Sequence, residues 1–224
     1  MNIYLFPIYA VVLGFIIAKI AKEKKVNNIK LLLAFSGAFL LSLTVFDLLP
    51  EVYEHLEAKQ TGLFIMIGVL TQIFLEFFSK GAEHGHVHIR KGSKIFPWLL
   101  FISLCLHAFL EGFPIHQHND MVYGVLIHKL PIAILITTYL IQSNFRTFQI
   151  IAFLTLFGLM TPLGTIISNN VDLFANYLNY INAVVIGIFL HISTTILFES
   201  SEGHKFNLTK ILVIIVAVSI AYFM

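Results

Sequence analysis

Residues 98–116 read WLLFISLCLHAFLEGFPIH, and residues 121–141 read MVYGVLIHKLPIAILITTYLI. Each run is almost wholly apolar and about 20 residues long, the length needed to cross a hydrocarbon core of roughly 30 Å. Each also carries ionisable groups in its interior, His107 and Glu111 in the first and His128 and Lys129 in the second. Ionisable side chains are costly inside a bilayer and mark functional positions by default. The reading therefore turns on whether the whole chain belongs in a membrane.

Composition says that it does. The 224 residues are 58% hydrophobic and 12% charged, with 22 Phe, and the mean hydropathy is +0.88. Soluble domains do not combine these values. Eight apolar runs fall near residues 3–20, 30–54, 61–79, 95–116, 120–141, 147–168, 177–199 and 208–223, separated by short polar connections. The pattern predicts an all-α integral membrane protein with eight transmembrane helices. Residues 1–224 form a single transmembrane domain, with a His-containing loop at 80–94. The first run lacks a basic stretch before it and is followed by its positive charges, so it reads as a retained span rather than a signal peptide.

Lys and Arg set the orientation. The first, third, fifth and seventh connections hold Lys19, Lys22, Lys24, Lys25 and Lys30; Lys80, Arg90, Lys91 and Lys94; Arg146; and Lys205 and Lys210. These are twelve of the fourteen basic residues, the others being Lys59 in an even connection and Lys129 within a span. The positive-inside rule then puts the odd connections in the cytoplasm and both termini outside. The net charge of +2 reports this topology, and no nucleic-acid partner is inferred from it.

Helix geometry assembles a metal site from the two opening runs. His107 and Glu111 are four residues apart and project from one face, which Ser103 shares. His107 lies about nine residues below the outer connection and His128 about eight, so both sit roughly 12 to 14 Å deep at 1.5 Å per residue. Two imidazoles and a carboxylate suit Zn²⁺ or another borderline first-row ion, with water or a fourth residue completing the shell. Pro114 and Pro131 each free a backbone carbonyl that must find a partner or line a wet cavity. The single Cys105 excludes a disulfide framework. It lies about 200° around the helix from His107 and reads as a packing residue.

Other polar residues extend a path. Asp47, Glu51 and His55 recur every four residues on the second span, around Pro50, and are expected at an outer entrance. His191, Thr195 and Glu199 have the same spacing on the seventh span and run toward the cytoplasmic side, where Glu202 and His204 follow. This opposite polarity fits an inverted repeat. His84, His86 and His88 make a weak metal collector in the cytoplasmic loop. The outer turn His116-Gln117-His118-Asn119-Asp120 is either a second collector or only a polar turn.

The chain resembles the ZIP (Zrt/Irt-like) metal transporters over essentially its whole length. The likeness rests on Asp47-Leu48-Leu49-Pro50-Glu51, the His-rich loop, His107-Ala108-Phe109-Leu110-Glu111-Gly112, His128-Lys129 with Pro131, Thr161-Pro162-Leu163-Gly164 and Gly187-Ile188-Phe189-Leu190-His191. The resemblance implies inverted helix triplets around a central fourth and fifth pair, and uptake of zinc toward the cytoplasm. Some members carry Fe²⁺, Mn²⁺ or Cd²⁺, and members are often dimers.

Many members hold two metals, using an Asn after the first His and acids one and four positions after the second. Here those places hold Ala108, Lys129 and Ile132, and Thr161 stands where some members put an acid in the sixth span. The expectation is a single-metal site of His107, Glu111 and His128, with the Lys129 ammonium in the place of a second ion rather than snorkelling to the surface. The function expected is divalent metal uptake by alternating access, driven by the metal gradient and membrane potential, without an enzymatic step or organic cofactor. Because the ligands bind metal only when deprotonated, transport is expected to weaken as pH falls through the histidine range near 6.5. The alternatives are an intramembrane zinc hydrolase, with Asp47 activating water, and a metal-binding sensor that moves nothing. Short loops and no targeting extension suggest a bacterial cytoplasmic membrane.

Overall fold

The computed structural model describes residues 3–21, 29–79, 96–116, 120–170, 176–199 and 208–224. Among them every regular element is helical. Eight rods follow one another: α1 (Phe6–Ala21), α2 (Ile29–His55), α3 (Ala58–Ser79), α4 (Trp98–Leu110), α5 (Met121–Gln142), α6 (Thr147–Asn170), α7 (Leu178–Glu199) and α8 (Leu208–Phe223). Rods α2, α3, α5, α6 and α7 are long and apolar enough to cross a membrane, and α1, α4 and α8 are shorter apolar helices. Their outer faces expose large apolar side chains such as Phe74, Phe77, Phe148 and Phe223. Water would penalise such a surface, whereas lipid tails accept it.

Two rods are bent or cut short for reasons visible in the sequence. Pro50 has no N–H to give and its ring crowds the carbonyl one turn earlier. The chain answers with a π-helical stretch over Thr44–Leu48, in which the Leu49 N–H reaches back to the Thr44 carbonyl. Helix α4 stops at Leu110, short of the expected end at residue 116. Its last turn tightens, with Gly112 N–H bonded to the Phe109 carbonyl and Phe113 N–H to the Leu110 carbonyl, each at 3.2 Å. A 3₁₀ turn over Pro114–His116 follows. Gly112 and Pro114 are poor residues for continuing a helix, and the residue before a proline is pushed away from helical geometry.

The rods pack into two groups. In one, α1 lies against α5 and α6, and α4 lies against α6; in the other, α3 pairs with α7, and α2 packs on α7 and α8. Each group has its own hydrophobic core. The core of the α2, α3, α7 and α8 group gathers Phe39, Leu40, Leu43, Phe189 and Ile192 with Met121, Val122 and Val125 from the start of α5. The core of the α1, α4 and α6 group gathers Leu104, Ala108, Phe153 and Phe157 with Ile132, Ala133 and Ile136 from farther along α5. Helix α5 therefore serves both cores, and contacts of α2 with α5 and of α3 with α4 join the groups.

Glycine pairs set two of the closest crossings. A Cβ on Gly112 would run into the Thr161 carbonyl, and one on Gly164 into the Phe109 carbonyl, so α4 and α6 meet backbone to backbone. Gly68 and Gly187 do the same for α3 and α7 against Val184 and Ile65. In a bilayer, where helices gain little from hydrophobic association, such close approach is a main source of packing energy.

Candidate metal centre

His128 lies on α5 between Val125, which belongs to one core, and Ile132, which belongs to the other. His107 comes from the last turn of α4, and Glu111 caps that helix with φ −63° and ψ −14°. One ligand atom from each of His107, Glu111 and His128 lies within 4.8 Å of the others. All three side chains are at most 1% exposed. The imidazoles of His107 and His128 meet edge to face, with ring centroids 6.0 Å apart. Ligand atoms on a tetrahedral zinc, about 2.0–2.1 Å from the ion, are roughly 3.4 Å apart, so the three would draw closer to share one ion. Ser103 shares the face but gives its hydroxyl to the Leu99 carbonyl at 2.7 Å.

Glu111 has two different sides. Its Oε2 faces His107 Nε2 at 3.2 Å. Its Oε1 receives the Lys129 ammonium and lies 2.8 Å from Thr161 Oγ1. Lys129 also donates to Thr161 Oγ1 at 2.7 Å and sits 4.6 Å from the centre of the Phe157 ring. At 1% exposure Lys129 is turned inward and does not snorkel. A carboxylate, an ammonium, a hydroxyl and an aromatic face thus satisfy one another in a region where unpaired charge would be prohibitive.

Helix α6 holds the broken end of α4. Thr161 Oγ1 lies 2.8 Å from the Ala108 carbonyl, and Thr165 Oγ1 donates to the Gly112 carbonyl at 2.8 Å. These hydroxyls meet carbonyls that a helix end leaves without partners. In the sequence, Thr161 stood out as part of a family motif and as the place of an absent acid, and its role as support for Glu111 and α4 was missed.

The flanking candidates fall differently. Asp47 and Glu51 are half-buried, Asp47 within the π-helical stretch, and His55 is exposed at the end of α2. His191 is half-buried, and its Nε2 lies 2.7 Å from Glu76 Oε2 on α3, a partner that sequence reasoning did not name. Glu76 was nonetheless visible as an acid inside the apolar run 61–79. Thr195 donates to the His191 carbonyl at 2.8 Å. Glu199 closes α7. Glu202, His204, the loop histidines His84, His86 and His88, and His118 lie outside the described residues. Cys105 is a half-buried free thiol.

A bundle of apolar helices with a buried His, Glu and His set between two cores defines a polytopic membrane protein with a candidate cation site. The family described as ZIP Zinc transporter matches residues 80–223, and the chain belongs to that family. It is an integral membrane protein of a family of transporters, not enzymes, which removes the hydrolase alternative. Zinc transporter ZIP1 of Danio rerio is 30% identical over 88 residues, covering 37% of this chain and 29% of that protein. Zinc transporter ZIP1 of Takifugu rubripes is 30% identical over 95 residues, covering 40% and 32%. The aligned part of the chain thus spans about a third of the length of these curated relatives.

Proposed function

We propose that the protein carries zinc toward the cytoplasm through a single-metal site of His107, Glu111 and His128. The observation that carries this reading is the convergence of those three buried side chains where the two cores meet. Eight spans with both termini outside, and an inverted repeat relating the halves, give the topology. Metal arrives past Asp47, Glu51 and His55, sheds part of its water and binds the three ligands. It leaves past His191, Glu199, Glu202 and His204, with His84, His86 and His88 collecting it in the cytoplasm. Movement of the α1, α4, α5 and α6 group against the other alternates access.

Lys129 takes the place of a second ion. Its charge already balances Glu111, so an arriving dication meets a site of net charge near zero rather than a strongly anionic one. Such a site grips less tightly, which favours release by a carrier. Fe²⁺, Mn²⁺ and Cd²⁺ are alternative cargoes. The assembly is a homodimer, and the membrane is a bacterial cytoplasmic membrane.

The test is uptake of radioactive zinc into proteoliposomes holding the purified protein, beside His107→Ala and Glu111→Ala variants. Saturable uptake by the wild type, lost in both variants, is the expected result. Zinc that binds but never crosses, with or without an imposed potential, would leave the chain a sensor.

A further inference from the structure

Where α1 and α5 end and α6 begins, the helices leave a cavity of about 630 Å³. Its origin is local. Asn144 adopts φ 60°, and the Phe145 N–H bonds back to the Leu140 carbonyl at 3.1 Å. This αL ending turns the chain sharply out of α5 and leaves open space beside the end of α1. The walls are amphipathic: Phe15 and Ile150 offer carbon, while Thr138, Gln142, Asn144 and Lys19 offer polar groups. The Lys19 ammonium is 5.6 Å from the centre of the Phe15 ring. Arg146, exposed, lies in the chain between two further lining residues. Among the described residues no Asp or Glu lines the cavity, so its charge is positive and uncompensated by its own walls.

We propose that this cavity binds the headgroup of an anionic glycerophospholipid. The phosphate sits against Lys19 and Arg146, the Gln142 and Asn144 amides meet the glycerol and ester oxygens, and the upper acyl carbons lie along Phe15 and Ile150. The position suits that occupant, because the cavity opens at the ends of three apolar helices, the depth at which headgroups lie. The volume is within the roughly 300–1,000 Å³ of ligand sites. Basic pockets between membrane helices recognise acidic headgroups in this way. The site belongs to the group of helices that carries His107 and His128 but is separate from the metal centre and does not depend on transport.

Native mass spectrometry of the purified full chain, exposed to equal amounts of phosphatidylglycerol and phosphatidylcholine in detergent, tests this. The wild type should retain phosphatidylglycerol in preference by about fivefold or more, the effect of roughly one basic residue at a lipid surface. Lys19→Glu should abolish the preference, and Lys19→Arg should keep it. Millimolar inorganic phosphate should leave the lipid bound. Equal retention of the two lipids, a preference that survives both Lys19→Glu and Arg146→Glu, or displacement of the lipid by inorganic phosphate would each overturn the proposal. Should Lys19→Glu not yield a monodisperse protein, Thr147→Trp fills the mouth from an exposed position. Loss of retention in that variant supports the site, and unchanged retention refutes it.

Discussion

Lys129 and His107 address opposite oxygens of the one Glu111 carboxylate, the ammonium at Oε1 and the imidazole at Oε2. With zinc held as proposed, metal affinity and the stability of the metal-free protein would be linked through a single side chain. Replacing the lysine should move the two in opposite directions.

In Lys129→Met the empty protein keeps a buried carboxylate that has lost its charged partner, a change that typically destabilises by about 3 to 5 kcal/mol. Zinc then supplies the missing positive charge. Thermal unfolding should begin lower than in the wild type without metal, and the upward shift on adding zinc should be larger. An equal zinc-induced shift in the two proteins would show that Lys129 does not compete for the charge of Glu111.

Thr161→Val removes the hydroxyl between Glu111, Lys129 and the Ala108 carbonyl while keeping the side-chain shape. The buried groups left without it should cost about 1 to 3 kcal/mol of stability. Zinc affinity by calorimetry should fall severalfold, with Thr161→Ser close to wild type. A Thr161→Val protein that binds zinc as tightly as the parent would remove Thr161 from the support of the site.

Gly112→Ala and Gly164→Ala place a methyl group against a carbonyl of the facing helix. Forcing α4 and α6 apart should lower stability by about 1 to 3 kcal/mol and weaken zinc binding, because Glu111 immediately precedes Gly112. Gly62→Ala is the control: a Cβ there meets nothing within 4 Å, and helix propensity alone should stabilise by about 0.5 to 1 kcal/mol. Melting temperatures of the three variants give the comparison, and a neutral Gly112→Ala would contradict the close crossing.

Glu76 and His191 join α3 to α7 with 25% and 19% of their side-chain surfaces exposed. A double-mutant cycle with Glu76→Gln and His191→Gln should give a coupling of about 0.6 to 2 kcal/mol, the range for polar pairs between membrane helices. Equilibrium zinc binding should be unchanged in either variant, because neither residue belongs to the His107, Glu111 and His128 set. A large loss of zinc affinity would instead tie the pair to the metal centre.

Acid should weaken zinc binding. An imidazole that has gained a proton has no lone pair for a metal, and histidine ordinarily titrates near about 6.5. Lowering the pH from 7.5 to 5.5 should therefore reduce affinity, and with two histidines the loss should approach the square of that for one. Binding that is flat across this range would argue against a His107 and His128 ligand pair.

Much of this was legible in the sequence. Apolar runs of about 20 residues prescribe helices, because in lipid no open backbone is tolerated. The spacing of His107 and Glu111, with His128 at matched depth, pointed to three side chains that the fold does bring together. Most of the missed features depend on which helices become neighbours. Glu76 gains meaning only because α3 lies beside α7, and Thr161 only because α6 crosses the broken end of α4. The early stop of α4 at Leu110 had a local signal in Gly112 and Pro114, but a hydropathy window averages across both. Lys129 was read as a substitute ion, and its contact with the carboxylate of the metal set itself required the packed structure.

The two separate cores carry a consequence for how the chain comes apart. Local unfolding follows cooperative units rather than whole molecules, and here the buried apolar contacts divide between two such units that share α5. Amide exchange should fall into two protection classes, with α8 grouped with α2 and α1 grouped with the far half of α5. The first half of α5 should exchange with the unit that contains α2. The boundary between the classes would then cross the helix at His128, making that residue the point where two separately protected halves are joined.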